Sequence, residues 1–514
     1  MKSDKVFFLM VLGFSLTQAL FGQFVSHHNP VFQGDVTQPL PGAPFNDPNF
    51  LTPVVRLTDA RASGIHGLFP AYSKRQAWNS DESLMILRTG WGEAHLYNGQ
   101  NYQFIKVLDG VGGEDVFWHP SNPDLILFNP DSVLHSYNVM TDVNSELHAF
   151  APYTWANTRG EGNISNDGRY YAVVGQMYNY STGEVIMHDL IVYDIQEEKA
   201  TASMPLPQEG LTGFDWVSIS PLGNFVVVDY ADEETGRYHG VEVYDRSFNF
   251  LWQKGLGAGH SDLGLDASGE EVLIMDVYDA DANLTYINKY ALANGATTRL
   301  LSVSPYFDLH HSCRSMSRPG WVYISTFDYY GRLTDDNAGW LPFEDEVFAL
   351  KMDGSGSVER YAHHHSRRYS PSTPDSDNSV YYAEPHATVS RSGTRILFGS
   401  NWRTHIEEDF SIDAYLVDIT NMITGKPEDE SHHAIGSFTV YPNPAGDHLN
   451  IISENLTEGY RVRLFNSIGA LLKEFFVKQN HSNLSIETLP PGLVYYQITD
   501  KNGLPLHHGK ILKQ

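Results

Sequence analysis

The chain has 514 residues, of which 41% are hydrophobic and 19% charged, and its formal net charge at pH 7 is −28. This charge argues against a nucleic-acid partner, because phosphate backbones are bound by clusters of lysine and arginine. The length favours two or more domains, and the single cysteine excludes a disulfide framework.

The first 22 residues have the pattern of a secretory signal peptide. Lys2 and Lys5 precede an apolar run over residues 6–16, and small residues follow around Ala19 and Gly22. The apolar run is too short to span a bilayer, and we find no other run of spanning length. We therefore expect an exported chain with no transmembrane span, in which the lone thiol is buried or bound to a metal.

Residues 23–420 repeat one hairpin signal seven times. Each copy is a turn rich in Ser, Asp, Asn, Pro or Gly, followed by a β-branched and aromatic strand. The turns centre on residues 79–81, 120–123, 166–168, 220–223, 267–269, 318–320 and 391–393. The strands after them are residues 84–87, 125–128, 170–174, 225–228, 272–274, 321–324 and 396–398. This spacing predicts an all-β chain that begins with a seven-bladed β-propeller, and an eight-bladed or sandwich arrangement is the lesser alternative.

Residues 328–382 interrupt this spacing and predict a long insertion in the sixth blade. The insertion contains three consecutive histidines, His363 to His365, followed by Arg367 and Arg368. Long insertions are either functional loops over a binding mouth or mobile excursions. The histidines could bind metal or respond to pH, although a solvated loop is the preferred interpretation.

The chain becomes polar after the last repeat, so residues 421–436 predict a linker. Residues 437–514 alternate apolar and polar positions between turns, which predicts a small β-sandwich. Tyr-Pro-Asn-Pro at 441–444, Leu-Pro-Pro-Gly at 489–492 and the lysine-rich end resemble the type A C-terminal sorting domain of the Bacteroidetes type IX secretion system. The resemblance implies that this machinery is a partner, that the protein is secreted or held at the cell surface, and that this domain has no catalytic role.

Four potential metal ligands share one level of the predicted propeller. His260 and His311 each lie nine residues before a turn glycine, and Cys313 and His386 each lie seven before one. Stacked blades would bring the four side chains together as a zinc site, and four protein ligands favour a structural role. His310 is the neighbouring candidate, because adjacent strand residues face opposite ways. The alternative is that these histidines only form hydrogen bonds in the channel.

Calcium is a second possible metal. Asp279, Asp281 and Asn283 place oxygen ligands at alternate positions, as in a calcium-binding loop. The glycine and the distal glutamate of such loops are missing, so a turn is the preferred interpretation.

The propeller region resembles the seven-bladed propeller polysaccharide lyases, the ulvan lyases most and the oligogalacturonate lyases more distantly. The resemblance covers residues 53–420. It lies in the spacing of the blades and in the segments GHSD (259–262), HSCR (311–314) and PHATVSRSGTRILFGSNW (385–402).

This resemblance implies a set of catalytic residues. Tyr230 would transfer the proton, Arg246 would lie beside it, and His188 would neutralise the uronate carboxylate. The pattern leads us to expect another histidine where this chain has Asn163. His135 of blade two could substitute for it, although an exposed strand residue is the preferred interpretation of His135.

The sequence therefore predicts a secreted lyase that cleaves a uronate-containing anionic polysaccharide, ulvan in the first place, by β-elimination. The alternatives are a surface propeller that binds polysaccharide or protein without catalysis, and a lyase of pectic oligogalacturonates. An anionic ligand is favoured by the arginines predicted near one mouth, which are Arg159, Arg246, Arg367, Arg368 and Arg403. We expect a monomer.

Overall fold

The computed structural model describes residues 24–43, 45–207, 211, 213–231, 236–328, 339–367, 381–403, 411–424, 438–453, 459–466, 471–499 and 505–514. Within these ranges the strands form nine sheets. The predicted signal peptide, residues 425–436 of the predicted linker, and Arg368 lie outside the described residues.

Seven of the sheets are propeller blades, which confirms the predicted architecture. Five are four-stranded antiparallel sheets whose strand order is the chain order. Blade 2 contains Asp115–Trp118, Leu125–Asn129, Val133–Asn138 and Val143–Ala149, and blade 3 contains Trp155–Asn157, Tyr170–Asn179, Glu184–Asp194 and Lys199–Pro205. Blade 4 contains Trp216–Ile219, Phe225–Asp229, Val241–Asp245 and Phe250–Lys254, and blade 5 contains Asp262–Leu265, Glu271–Asp279, Leu284–Ala291 and Thr297–Val303. Blade 6 contains Phe307–Ser312, Trp321–Asp328, Glu346–Lys351 and Val358–His363.

Blade 1 is smaller, with strands Leu84–Arg88, Ala94–Asn98 and Phe104–Val107. Isolated bridges from Phe69 to Arg88 and from Trp78 to Met85 take the place of its inner strand.

Blade 7 closes the ring by joining the two ends of the propeller region. Its strands, from the channel outward, are Thr388–Val389, Arg395–Ser400, Asp413–Asp418, Pro53–Arg56 and Phe45–Asn46. In this sheet Val54 is opposite Val417, and Arg56 is opposite Tyr415. The Arg56 guanidinium also binds the buried Asp413 carboxylate at 2.7 Å, so a hydrogen-bonded ladder and an ion pair both hold the ring shut.

All seven strands predicted from the hairpin signals are present. Six of them are the second strand of their blade, and Leu84–Arg88 is the innermost of the three strands of blade 1. Five of the turn glycines have φ between 74° and 83°, a left-handed conformation that glycine adopts without strain; they are Gly168, Gly223, Gly269, Gly320 and Gly393. The residues just before each turn therefore belong to or flank the innermost strand. Apolar side chains from the blade faces pack between neighbouring blades, as Val174 of blade 3 and Val226 of blade 4 do.

The predicted insertion in blade 6 needs a correction, because it contains the third and fourth strands of that blade, Glu346–Lys351 and Val358–His363. The three histidines are not a solvated loop: His363, His364 and His365 are 1%, 0% and 2% exposed. Long-range partners make this polar stretch compatible with burial. His363 donates to the Val31 carbonyl at 2.9 Å, and Arg360 donates to two carbonyls of the segment before residue 30.

The C-terminal domain is a β-sandwich, as predicted. One sheet contains Phe438–Tyr441, His448–Ser453 and His481–Ser485, and the other contains Tyr460–Phe465, Leu471–Val477, Gly492–Thr499 and Pro505–Lys513. Leu449, Val462 and Ile498 are among the side chains of its own buried core.

The described helices are short. They are the α-helices Ala60–Ser63 and Thr420–Thr424 and the 3-10 helix Tyr381–Ala383, and Thr420–Thr424 extends into the predicted linker. No helix among the described residues has the length and apolar character needed to cross a membrane.

Candidate functional site

Two neighbouring blades bring two histidines and a glutamate together at the channel. His310 lies on the innermost strand of blade 6, and Glu384 and His386 lie between the 3-10 helix Tyr381–Ala383 and the innermost strand of blade 7. One potential ligand atom from each side chain lies within 4.8 Å of the other two, and all three residues are buried. The Nε2 atoms of His310 and His386 are 3.4 and 3.5 Å from the same oxygen, Oε2 of Glu384.

These three residues fit a divalent transition metal. Both Nε2 atoms are buried and make no hydrogen bond to any described residue. Their distances to Glu384 exceed those of hydrogen bonds, so the three donor atoms surround a common point. Two imidazoles and one carboxylate form a ligand set that suits zinc, manganese or iron and leaves coordination positions open. Burial, with the neighbouring His386, lowers the pKa of His310 well below its ordinary value, which favours the neutral imidazole that binds metal.

Aromatic side chains enclose this cluster. The His260 ring stacks on His310 with centroids 4.3 Å apart and an interplanar angle of 13°. Burial of His260 opposes its charged form, but the Asp308 carboxylate, 3.1 Å away, raises the pKa of His260 to about 9. Tyr72 contacts the rings of His386 and His310 at centroid distances of 5.0 and 5.6 Å. Burial raises the pKa of Tyr72 well above its ordinary value, so its phenol stays protonated.

A cavity of about 290 Å³ opens beside the cluster, and His386 and Tyr72 form part of its wall. Arg75, Arg88 and Arg159 also line it. Arg75 is paired with Asp115 at 2.7 Å, whereas no carboxylate of the described residues lies within ion-pair distance of Arg88 or Arg159. Glu114 and Glu161 also line the cavity, and Glu161 is paired with Lys74. The cavity therefore presents two arginines outside the ion pairs of the described residues against one such glutamate, Glu114, and it can accept an anionic group between the arginines.

Of the four predicted metal ligands, the structure places His260 and His386 at the cluster but not His311 and Cys313. His311 follows His310 on a strand, so it faces the opposite way, and its Nδ1 donates to the His260 carbonyl at 3.1 Å. Cys313 packs in an apolar cluster, and a Cβ on Gly264 would lie only 2.7 Å from its Cβ. Burial raises the pKa of this thiol well above its ordinary value, which disfavours the thiolate that binds metal.

Tyr230, predicted to transfer the proton, and Arg246, predicted to lie beside it, have different surroundings. Tyr230 is 0% exposed, and its hydroxyl lies 3.3 Å from that of Tyr244. Burial, with Tyr244 beside it, raises the pKa of Tyr230 far above its ordinary value. Arg246 instead donates to the Gly223 carbonyl at 2.9 Å and lies over the Tyr170 ring. The structure does not bring these two side chains together at the cavity.

His188 and Asn163 also lie apart from each other. The His188 ring is half-exposed, and its Nδ1 is 2.6 Å from the Asp189 carboxylate. Asn163 donates to the Lys74 carbonyl at 2.9 Å and lines a second cavity of about 40 Å³. The catalytic roles of Tyr230, Arg246, His188 and Asn163 stay predictions.

The possible calcium loop is the hairpin turn between the second and third strands of blade 5. The Asp279 carboxylate accepts from the backbone N–H groups of Asp281 and Ala282, both at 3.0 Å. These hydrogen bonds are those of a turn, which the sequence analysis preferred to a calcium-binding loop.

Sequence reasoning missed Glu384, Tyr72 and Arg88. Glu384 lies two residues before His386, but His386 has a φ of 43° and the segment is not a strand, so strand alternation could not have assigned Glu384 to the site. Tyr72 and Arg88 belong to no recognisable motif, and only the closed ring places them beside His386.

Comparison with known proteins identifies the C-terminal domain and supports the propeller. Residues 439–513 match the family of the secretion system C-terminal sorting domain, which confirms this domain and indicates a secreted or surface-attached protein. No curated protein matches the chain by sequence.

Two similar solved structures are oligogalacturonate lyases. One, in complex with manganese, is 14% identical, with a TM-score of 0.53, and the match covers 77% of this chain and 100% of that one. The other, from Vibrio parahaemolyticus, is 13% identical, with a TM-score of 0.52, and the match covers 75% of this chain and 98% of that one. At these identities the likeness establishes the fold.

Proposed function

We propose that this protein is a secreted lyase that cleaves a uronate-containing anionic saccharide by β-elimination at the cavity beside His386. The observation that carries the proposal is that the cluster of His310, Glu384 and His386 adjoins, through His386, a cavity lined by two arginines that lie in no ion pair of the described residues. One of the similar structures is an oligogalacturonate lyase in complex with manganese, and this supports a metal-dependent lyase of the same kind.

The chemistry of elimination explains why such a cavity is useful. The proton α to a uronate carboxylate is weakly acidic, so positive charge must first offset the negative charge of the carboxylate. A divalent metal held by His310, Glu384 and His386 would supply part of that charge at the cavity wall. Arg88 and Arg159 orient the carboxylate and hold it in place by charge-assisted hydrogen bonds.

We assign the proton donor to Tyr72. Its phenol lines the cavity next to His386, and burial, with Glu161 as a secondary cause, raises the pKa of this phenol well above its ordinary value. The Glu114 carboxylate, which also lines the cavity, takes the proton α to the uronate carboxylate. The bond to the leaving glycosidic oxygen breaks as the carbon–carbon double bond forms, and the neutral Tyr72 phenol gives its proton to that oxygen. In this proposal Tyr72 takes a role that the sequence resemblance gave to Tyr230.

Two saccharides and two metals are compatible with this chemistry. The names of the two similar structures support a pectic oligogalacturonate, and the resemblance found in the sequence supports ulvan; both saccharides contain uronates. Manganese and zinc both suit the ligand set, so the predicted zinc is retained as a candidate beside manganese.

The deciding experiment is an ultraviolet assay for the unsaturated uronate that elimination creates. The purified propeller, loaded with manganese or zinc, is incubated with oligogalacturonates, pectate, ulvan, alginate and glycosaminoglycans. We expect unsaturated product from at least one of them, and loss of product after treatment with EDTA. Binding without product from any of them would instead support the non-catalytic propeller.

A further inference from the structure

Trp91 is an exposed tryptophan in a protein that buries the others wholly or in part. All nine tryptophans of the chain are among the described residues, and only Trp91 is exposed, with 73% of its surface accessible. The His66 ring covers one face of its indole, with centroids 5.1 Å apart and an interplanar angle of 13°. The indole is therefore supported from one side, and its surface is largely open to solvent.

The turn that carries Trp91 is built around this arrangement. A Cβ on Gly90 would collide with the imidazole and the carbonyl of His66, so glycine at this position allows the ring to lie under the indole. The Gly90 N–H also donates to the His66 carbonyl. Gly92 has a φ of 87°, and a Cβ there would lie 3.1 Å from Nη2 of Arg88. Glycine on both sides of Trp91 thus fixes the turn between His66 and the Arg88 guanidinium.

The Trp91 turn adjoins the rim of the cavity of the proposed function. Gly92 and Arg88 line that cavity, and so does Tyr382, whose ring meets the His66 ring edge-on at 6.5 Å. An exposed aromatic ring that adjoins a polar ligand cavity is the kind of surface that marks a binding groove. The face of a pyranose ring that carries its C–H groups is the apolar part of a saccharide, and it fits a flat indole of this kind.

We propose that Trp91 is a stacking subsite for a second sugar ring of the substrate, next to the ring whose carboxylate is held by Arg88 and Arg159. This inference rests on the proposed function for the identity of the ligand, an anionic oligosaccharide. It adds that the protein recognises at least two linked sugars, one by charge inside the cavity and one by stacking at its rim.

The test compares affinities for saccharides of different length. Galacturonic acid and oligogalacturonates of increasing length are titrated by calorimetry into the parent protein and the Trp91→Ala and Trp91→Phe variants, with the metal removed by EDTA so that nothing is cleaved. We expect Trp91→Ala to weaken binding of the oligosaccharides about tenfold and to leave binding of the monosaccharide unchanged. Trp91→Phe should recover most of the loss, because it keeps an aromatic face.

Tyr180→Ala is the matched control, since Tyr180 is an exposed aromatic residue, 87% accessible, on a hairpin turn of blade 3. This variant should bind every saccharide as the parent does, and thermal melting should show all three variants folded. Equal affinity of the parent and Trp91→Ala for all lengths would overturn the inference, as would a parent protein that binds no uronate oligosaccharide either without metal or when loaded with manganese. Trp91-dependent binding, together with no unsaturated product when the metal-loaded parent protein is incubated with the same oligosaccharides, would support the stacking subsite and refute the lyase.

Discussion

The Nε2 atom of His310 lies 3.4 Å from Oε2 of Glu384, and Nε2 of His386 lies 3.5 Å from the same oxygen. These separations are too long for hydrogen bonds, and both nitrogens are buried. Buried polar atoms are costly unless a partner satisfies them. A cation bound between the three side chains would satisfy all of them at once.

Glu384→Gln should therefore reduce the content of manganese or zinc, because it removes the one anionic ligand of the cluster. We expect metal affinity to fall at least roughly tenfold, the size of effect seen even when only an outer-shell partner is lost. Metal content after dialysis, measured by mass spectrometry, checks this. Cys313→Ser is the control and should retain its metal, because the thiol packs among apolar side chains. Metal lost from Cys313→Ser but kept by Glu384→Gln would restore the ligand set predicted from the sequence.

The parts of the fold that follow from local patterns were predictable from the sequence. Turn glycines and alternating strands repeat seven times, so the propeller and the level of His260 and His386 could be inferred. The sequence could not decide which of His310 and His311 contributes to the cluster, because a shift of one residue along a strand moves a side chain to the other face. The burial of His363 depends on a carbonyl at Val31, more than 300 residues away, and no local pattern reports such a contact.

Tyr72→Phe should lower kcat by roughly 10²-fold or more with little change in KM, because it removes the proposed proton donor and keeps the ring. Tyr230→Phe is the informative comparison. Its hydroxyl is buried beside Tyr244, away from the cavity, so we expect nearly normal kcat. Initial rates of unsaturated product formation check both variants. Loss of activity in Tyr230→Phe alone would return the proton-transfer role to the residue indicated by the sequence resemblance.

Asp413→Asn should destabilise the propeller, because it removes the buried carboxylate that binds the Arg56 guanidinium and leaves only the partly exposed Asp59, 3.2 Å away, as its anionic partner. Removing one partner of a buried ion pair costs about 3 kcal/mol or more of unfolding free energy. The exposed pair of Lys351 and Asp353, 2.8 Å apart, supplies the control, and Asp353→Asn should cost less than about 1 kcal/mol. Urea denaturation of the two variants measures the difference. Equal losses would mean that the ion pair contributes little to ring closure.

Asp229 should make the stability of blade 4 depend on pH. Burial raises the pKa of Asp229 to about 6, against the ordinary 3.8, although it accepts hydrogen bonds from the Ala231 and Ala258 N–H groups. Well below pH 4 this carboxyl is neutral in both the folded and the unfolded chain, so it causes no difference. Between about pH 4 and pH 6 the unfolded chain loses the proton first, so the folded state becomes less stable as pH rises.

The Asp229→Asn variant isolates this effect, because it cannot ionise at residue 229. Relative to the parent protein, its unfolding free energy should increase by about 2.5 kcal/mol between pH 4 and pH 8. Denaturant unfolding of both proteins across this range measures the change, and all other titrating groups cancel in the difference. A difference that stays constant with pH would show that Asp229 ionises normally despite its burial.

Deletion of residues 437–514 should block export without unfolding the propeller. The sorting domain has its own apolar core, and the propeller ring is closed by its own strand Pro53–Arg56. We expect the truncated protein to accumulate inside the outer membrane, with the melting temperature of the propeller unchanged. Cell fractionation and thermal melting check the two parts separately. A truncated protein that still reaches the medium or the cell surface would contradict the role assigned to this domain, and a lowered melting temperature would show that the two domains stabilise each other.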